Sequence, residues 1–184
     1  MRIRVADIVE WTAGTSVVSA RPATREALGM TWDSRTVAPD DMYVALVGER
    51  VDGHAYCRQA FEAGAACALV EKDVDRETQD AANACGAGIV RVQSTMQAVR
   101  DVAAAWRAVI PGTVIAITGS SGKTTTKNLV RDVLSSAMPT IATLANQNNE
   151  LGVPATLLRA QMDTQAVVVE MGMRGLGQLQ DLGT

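Results

Sequence analysis

Short apolar runs and stretches of helical period alternate along most of the chain. Residues 31–35 and 42–47 read as strands, separated by the turn-forming Pro39-Asp40-Asp41 and closed by Gly48. Over residues 55–63 the positions Cys57, Ala60, Phe61 and Gly64 recur at three-to-four spacing, which predicts a helix stopped by Gly64. The apolar run 66–70 and, past an Ala-rich stretch, residues 88–92 read as two more strands. Residues 1–21 are less patterned, with 3–9 beginning as a short helix that feeds a Gly-containing turn. This rhythm predicts a small mixed sheet with helices, an α/β arrangement.

The rhythm changes after residue 94. Residues 95–109 place Met96, Val99, Val102, Ala103 and Trp106 on one helical face, closed by Pro111-Gly112, and read as the connection into a second domain. Two domains are therefore expected, 1–94 and 95–184. Residues 113–118 are apolar and β-branched almost throughout, which predicts a parallel strand buried on both faces. A helix follows over 123–137, with Leu129, Val130, Val133 and Leu134 at helical spacing and Pro139 beyond it. Residues 140–143 read as a short strand, 153–160 as a helix opened by Pro154, and 165–172 as another buried parallel strand. A doubly wound sheet normally has more strands, so the end reads as a truncation. The expected fold class is α/β: a small mixed α/β N-terminal domain followed by a truncated P-loop-type parallel-sheet domain.

Composition narrows the function classes. With 184 residues, 47% of them hydrophobic, the chain has enough apolar surface for a core. A formal charge of -3 and a pI near 5.2 give no basic field for nucleic acid. Cys57, Cys67 and Cys85 form no Cys-x-x-Cys pair and read as free thiols in a reducing compartment. Asp7 and Glu10 interrupt any leader-like apolar segment, and no run is long enough to span a membrane. The expected form is a cytoplasmic monomer with no nucleic-acid partner and no membrane insertion.

The candidate chemistry centres on Thr118-Gly119-Ser120-Ser121-Gly122-Lys123-Thr124-Thr125, placed between the strand and the helix. Gly119 and Gly122 permit a tight turn whose backbone N–H groups point at an anion. Lys123, at the helix start, can reach phosphate oxygens while the helix N-terminus adds partial positive charge. Thr124 offers a hydroxyl to Mg²⁺. The full P-loop spacing asks for glycine where Ile117 stands, so the match is to a shorter Gly-x-x-Gly-Lys-Thr form. The bland alternative is a Gly-rich turn with a solvated lysine; the flanking strand and helix favour nucleotide binding.

Glu170 ends a run of aliphatic residues just before Gly172. A carboxylate at the C-terminal end of a buried parallel strand is placed to hold Mg²⁺ between phosphate oxygens, although an exposed strand-end glutamate looks the same in sequence. His54, the sole histidine, has no nucleophile or metal ligand spaced to it and reads as a local packing or capping residue.

Three separated motifs carry a family resemblance. They are Asp33-Ser34-Arg35 with the 43–54 segment through Gly48-Glu49-Arg50-Val51-Asp52-Gly53-His54; residues 118–127; and Asn146-Gln147-Asn148-Asn149-Glu150-Leu151-Gly152-Val153-Pro154 with Glu170-Met171-Gly172. In this order they resemble the Mur ligase family, MurF type. The resemblance implies an ATP-dependent ligase of peptidoglycan precursor synthesis, joining D-alanyl-D-alanine to UDP-N-acetylmuramoyl-tripeptide through an acyl phosphate.

It implies a first domain that grips the UDP end through Ser34, Arg35, Glu49, Arg50 and Val51. It implies a central domain holding ATP through Gly119, Ser120, Ser121, Gly122, Lys123, Thr124, Thr125, Asn146 and Asn149. Lys123 and Glu170 take the catalytic roles, and Thr124 and Glu170 hold the magnesium. A modified lysine and a closing domain are expected past Thr184, so this chain alone is expected to lack ligase activity. The alternatives are the related ligase that adds the third peptide residue, or a nucleotide-binding module without chemistry.

Overall fold

A computed structural model describes residues 1–49, 51–144 and 151–172. The chain forms two compact units, Met1–Val102 and Ala103–Thr184.

In the first unit β1 (Ile3–Arg4) runs directly into α1 (Val5–Trp11), which buries Val5 and Ile8. After β2 (Thr15–Val18), β3 (Glu26–Ala27) returns antiparallel to β1. Next come β4 (Gly29–Thr31), β5 (Asp41–Val44), α2 (Cys57–Glu62), β6 (Cys67–Val70), α3 (Arg76–Cys85) and β7 (Gly88–Arg91); α4 (Thr95–Val109) carries the chain across the boundary between the units, which falls after Val102. The sheet order is β2-β7-β6-β5-β4, parallel from β4 to β7, with β2 antiparallel at the edge.

Side chains alternate across this sheet with period two. Tyr43, Ala68, Val70 and Ile89 join Cys57, Ala60 and Phe61 of α2 and Ala82 of α3 in one cluster. Met42, Val44, Leu69 and Val90, on the opposite face, are also fully buried, so the sheet is covered on both sides. Small residues at Ala60, Ala65, Ala68 and Ala82 allow this close layering.

Two local expectations change here. Strand β4 stops at Thr31, and residues 34–36 form a 3₁₀ turn rather than continuing a strand. The Asp33 carboxylate accepts the Arg35 backbone N–H at 3.0 Å, giving that amide a side-chain partner two residues back in place of a neighbouring strand. The other change is β2, absent from the reading of residues 1–21 because three of its four residues are exposed and leave no apolar run to detect.

The second unit contains β8 (Thr113–Ile117), α5 (Lys123–Ser135), β9 (Thr140–Ala142), α6 (Gly152–Leu158) and β10 (Ala166–Glu170). The strands are all parallel in the order β8-β10-β9. β10 is buried at every position, as its Val167-Val168-Val169 run predicts. β8 departs from expectation: it is half-exposed, because among the described residues β10 is its only strand neighbour. Leu129 and Val133 of α5 are likewise exposed, whereas Val130 and Leu134 are half-buried, so only part of the apolar stripe read from the sequence turns inward. No helix among the described residues is long and apolar enough to cross a membrane.

Candidate functional site

The parallel register of the second unit builds the site. Glu170 sits level with Ile117, the last residue of β8, and the Met171 N–H donates to the Ile117 carbonyl at 3.0 Å. Strand β10 thus delivers its terminal carboxylate beside the start of the 118–122 loop. Ligands of open parallel sheets bind at this carboxyl edge, where neighbouring strands are joined out of sequence order.

The loop takes its shape from Gly119 at φ 147° and Gly122 at φ 73°. At Gly122 the left-handed conformation turns the chain into α5 without any side chain capping the helix, so the first-turn N–H groups are left to another acceptor. Lys123 folds back over the loop, its Nζ donating to the Gly119 carbonyl at 2.8 Å. The ammonium therefore stays with the concave backbone instead of reaching away into solvent. Ser120, Ser121 and Thr125 stand exposed around it.

Thr124 and Glu170 meet directly. The Thr124 hydroxyl lies 3.1 Å from Oε1 and 3.0 Å from Oε2 of Glu170. This pair of hard oxygen donors fits Mg²⁺, which takes few protein ligands and completes its shell with phosphate oxygens and water. Among the described residues no cluster of three His, Cys, Asp or Glu side chains offers a competing metal site. Glu170 is 2% exposed, and its charge is answered by Lys127, also 2% exposed, whose Nζ lies 3.7 Å from Oε2. Beside this cluster an open groove of ≈ 400 Å³ is lined by Thr124, Lys127, Asn128, Arg131, Thr143 and Arg159, among others.

Lys127 was not singled out by sequence reasoning. The available signal was spacing: Lys123, Thr124, Lys127, Asn128 and Arg131 recur at three and four residues and form a polar face on α5. Asn146 and Asn149 lie outside the described residues, as does Arg50.

The first unit holds the other group of candidates. Asp33 caps the 34–36 turn and takes the Arg35 guanidinium on both oxygens, at 2.8 and 2.6 Å. Hydrogen bonds from Arg35, first its side chain and then its backbone, draw the Asp33 carboxyl down to about 2. Ser34 donates to the Gln59 amide oxygen at 3.0 Å, adding a residue of α2 that sequence reasoning did not name. The 47–52 segment closes as a hairpin through a Val47–Asp52 bridge and the Gly48 N–H to the Val51 carbonyl at 2.9 Å, leaving Glu49 and Val51 exposed at its tip.

His54 anchors the base of that hairpin. Its Nε2 accepts the Glu71 backbone N–H at 2.9 Å, which places the ring proton on Nδ1, 2.6 Å from Asp52 Oδ1. Lys72 pairs with the other Asp52 oxygen. Both ring nitrogens are committed to holding the fold, as the isolated histidine predicted.

A parallel α/β unit with a glycine-turned loop, a lysine over it and a strand-end carboxylate beside it defines a phosphate-loop protein. Two family models match the chain: "Mur ligase family, catalytic domain" over residues 26–107 and "Mur ligase middle domain" over 117–184. The chain belongs to the Mur ligase family. It is 40% identical over 147 residues to the UDP-N-acetylmuramoyl-tripeptide--D-alanyl-D-alanine ligase of Synechocystis, covering 80% of this chain and 31% of that protein. MurF from Acinetobacter baumannii superposes with a TM-score of 0.80 at 34% identity, over 94% of this chain and 36% of that one. MurF ligase from Thermotoga maritima, solved in complex with ADP, superposes with a TM-score of 0.69 at 28% identity, over 84% of this chain and 35% of that one. The chain spans about a third of the length of the curated relatives it matches.

Proposed function

We propose that this chain forms the precursor-gripping and ATP-binding parts of a ligase that adds D-alanyl-D-alanine to UDP-N-acetylmuramoyl-tripeptide. The observation that carries the reading is the convergence of Lys123, the uncapped start of α5 and the Thr124–Glu170 pair at one edge of a parallel sheet. The names of the matched relatives support the dipeptide-adding reaction over addition of the third residue.

In this reading the tripeptide's terminal carboxylate attacks the γ-phosphorus of ATP, giving an acyl phosphate and ADP; the dipeptide amine then displaces phosphate to form the amide. No protein nucleophile is required, so the chain's contribution is charge neutralisation and alignment. The N–H groups of the loop and of the α5 first turn receive phosphate oxygens, and Lys123 exchanges the Gly119 carbonyl for the β and γ phosphates. Gly119, Ser120, Ser121, Gly122, Thr125, Asn146 and Asn149 complete the nucleotide seat. Thr124 and Glu170 would hold Mg²⁺, which would supply Lewis-acid neutralisation of charge on the phosphates.

In the first unit Ser34, Arg35, Glu49, Arg50 and Val51 hold the UDP end. Arg35 exchanges Asp33 for the diphosphate, a bidentate acceptor of the same geometry.

ADP titration by calorimetry tests the reading. Lys123→Ala removes a charge-assisted bond of about 1.5–3 kcal/mol, so ADP affinity should fall about tenfold or more. Equal ADP affinity in the two proteins sinks the assignment.

A further inference from the structure

Lys127 sits three residues after Thr124 and four after Lys123, on the same face of α5. At 2% exposure its ammonium is out of water, a placement that requires compensating acceptors. It has two of them. Its Nζ donates to the Thr143 carbonyl at 3.0 Å, just past the end of β9, and lies 3.7 Å from Glu170 Oε2.

Thr143 also binds β10 from its other end, its Oγ1 accepting the Glu170 backbone N–H at 2.9 Å. Thr156 of α6 donates its hydroxyl to that same oxygen at 3.4 Å. Glu170 is therefore fixed at its backbone by Thr143 and approached at its carboxylate by Lys127 from the interior. The same carboxylate meets the Thr124 hydroxyl at 3.0 and 3.1 Å. A buried ion pair is a poor source of net stability, because desolvating two charges offsets most of their attraction. The pair's location, against the two metal-fitting oxygens, gives it another use.

We propose that Lys127 is a positioning residue for the metal of the nucleotide complex: it pins the Glu170 carboxylate against Thr124, so that both oxygen donors stand in place before Mg²⁺ arrives. Groups that orient a metal ligand from behind commonly carry about 10–100-fold of metal affinity. Lys127 does not touch the phosphates in this account; that task stays with Lys123 and the loop amides. The inference rests on the nucleotide-binding reading above and assigns this lysine a role that reading does not contain.

Calorimetry on this chain separates the two. ADP is titrated with chelator present and again with saturating Mg²⁺; the ratio of the two affinities is the metal increment. In Lys127→Met the increment should fall about tenfold while metal-free ADP affinity stays close to wild type. Lys127→Gln, which keeps a donor within reach of the Thr143 carbonyl, should behave the same way and decides alone if the Met variant does not fold.

A wild-type increment in either folded variant overturns the proposal. So does a proportionate loss of metal-free and metal-bound affinity, the signature of a merely structural lysine. A wild-type chain that binds ADP in neither condition instead overturns the functional reading, and is recognised because no substitution is involved.

Discussion

Helices α3 and α5 begin in opposite ways. In the first unit, Asp75 closes the start of α3 by accepting the Thr78 N–H at 2.7 Å, and Gly86 ends the helix in a left-handed turn. In the second unit, α5 starts from Gly122 with no side chain capping it. A capped start satisfies the helix from within the fold, whereas an uncapped one holds its N–H groups ready for an anion. The interiors differ in the same sense. The polar side chains buried in the first unit, His54, Thr78 and Thr95, lie outside the apolar cluster under its sheet, while the second unit buries a lysine and a glutamate, Lys127 and Glu170, together with Thr143, Thr156 and Thr164. Among the described residues, the buried charged side chains lie in the second unit.

The largest expected contrast uses the cysteines, all of which lie in the first unit. Burial pushes the Cys57 and Cys67 thiols up to about 12, so the charged, reactive form is disfavoured at any pH below that value. At pH 8 their thiolate fraction is about 10⁻⁴. Cys85 is exposed. Alkylation of the native chain at pH 8 should label Cys85 and spare the other two, with full labelling only in denaturant. Rapid labelling of Cys57 in the native chain would break the picture of a sealed first unit.

Next in size is the buried pair of the second unit. Lys127→Met should lower stability by about 3 kcal/mol, because it removes one partner of a buried ion pair. The double variant Lys127→Met/Glu170→Met should recover most of that loss, since an apolar pair of similar volume carries no desolvation penalty. Urea unfolding followed by Trp106, whose indole donates to the Ala160 carbonyl at 3.1 Å within the second unit, provides the measurement. A double variant as unstable as the single one would make the pair a stabilising element and weaken the contrast between the two interiors.

The same contrast explains what the sequence made legible. Where apolar burial sets the structure, the pattern was enough: α4 runs Thr95–Val109 as its heptad-like face predicts, and β10 is buried throughout. The glycine-turned entry into α5 was readable because its glycines and lysine are local in sequence. Lys127 was not, because a lysine on a helix ordinarily lies in water, and the acceptors that bury it arrive from residues 143 and 170. The apolar positions of α5 split for the same reason: Val130 and Leu134 share the half-buried side with Lys127, while Leu129 and Val133 face outward. The turn at 34–36 escaped because Asp33 satisfies the backbone from within its own loop, leaving no periodic trace.

The smallest effect separates a glycine of the fold from a glycine of the site. Gly86 and Gly122 have φ 68° and 73°, so alanine at either meets a conformational penalty of about 1–2 kcal/mol. Their surroundings differ. A Cβ on Gly86 would lie 2.5 Å from the Arg21 carbonyl oxygen, a backbone atom that also receives no easy relief because Arg21 N–H bonds the Gly86 carbonyl at 2.8 Å. A Cβ on Gly122 meets nothing within 4 Å. Gly86→Ala should therefore lose more stability than Gly122→Ala, with ADP affinity unchanged. Gly122→Ala should lose only about 1 kcal/mol of stability, yet weaken ADP binding about tenfold as the added methyl alters the turn that aims the loop amides. Thermal melts and ADP titrations on both variants distinguish the two roles. If Gly122→Ala binds ADP as well as wild type, the open space at the start of α5 is not where phosphate rests.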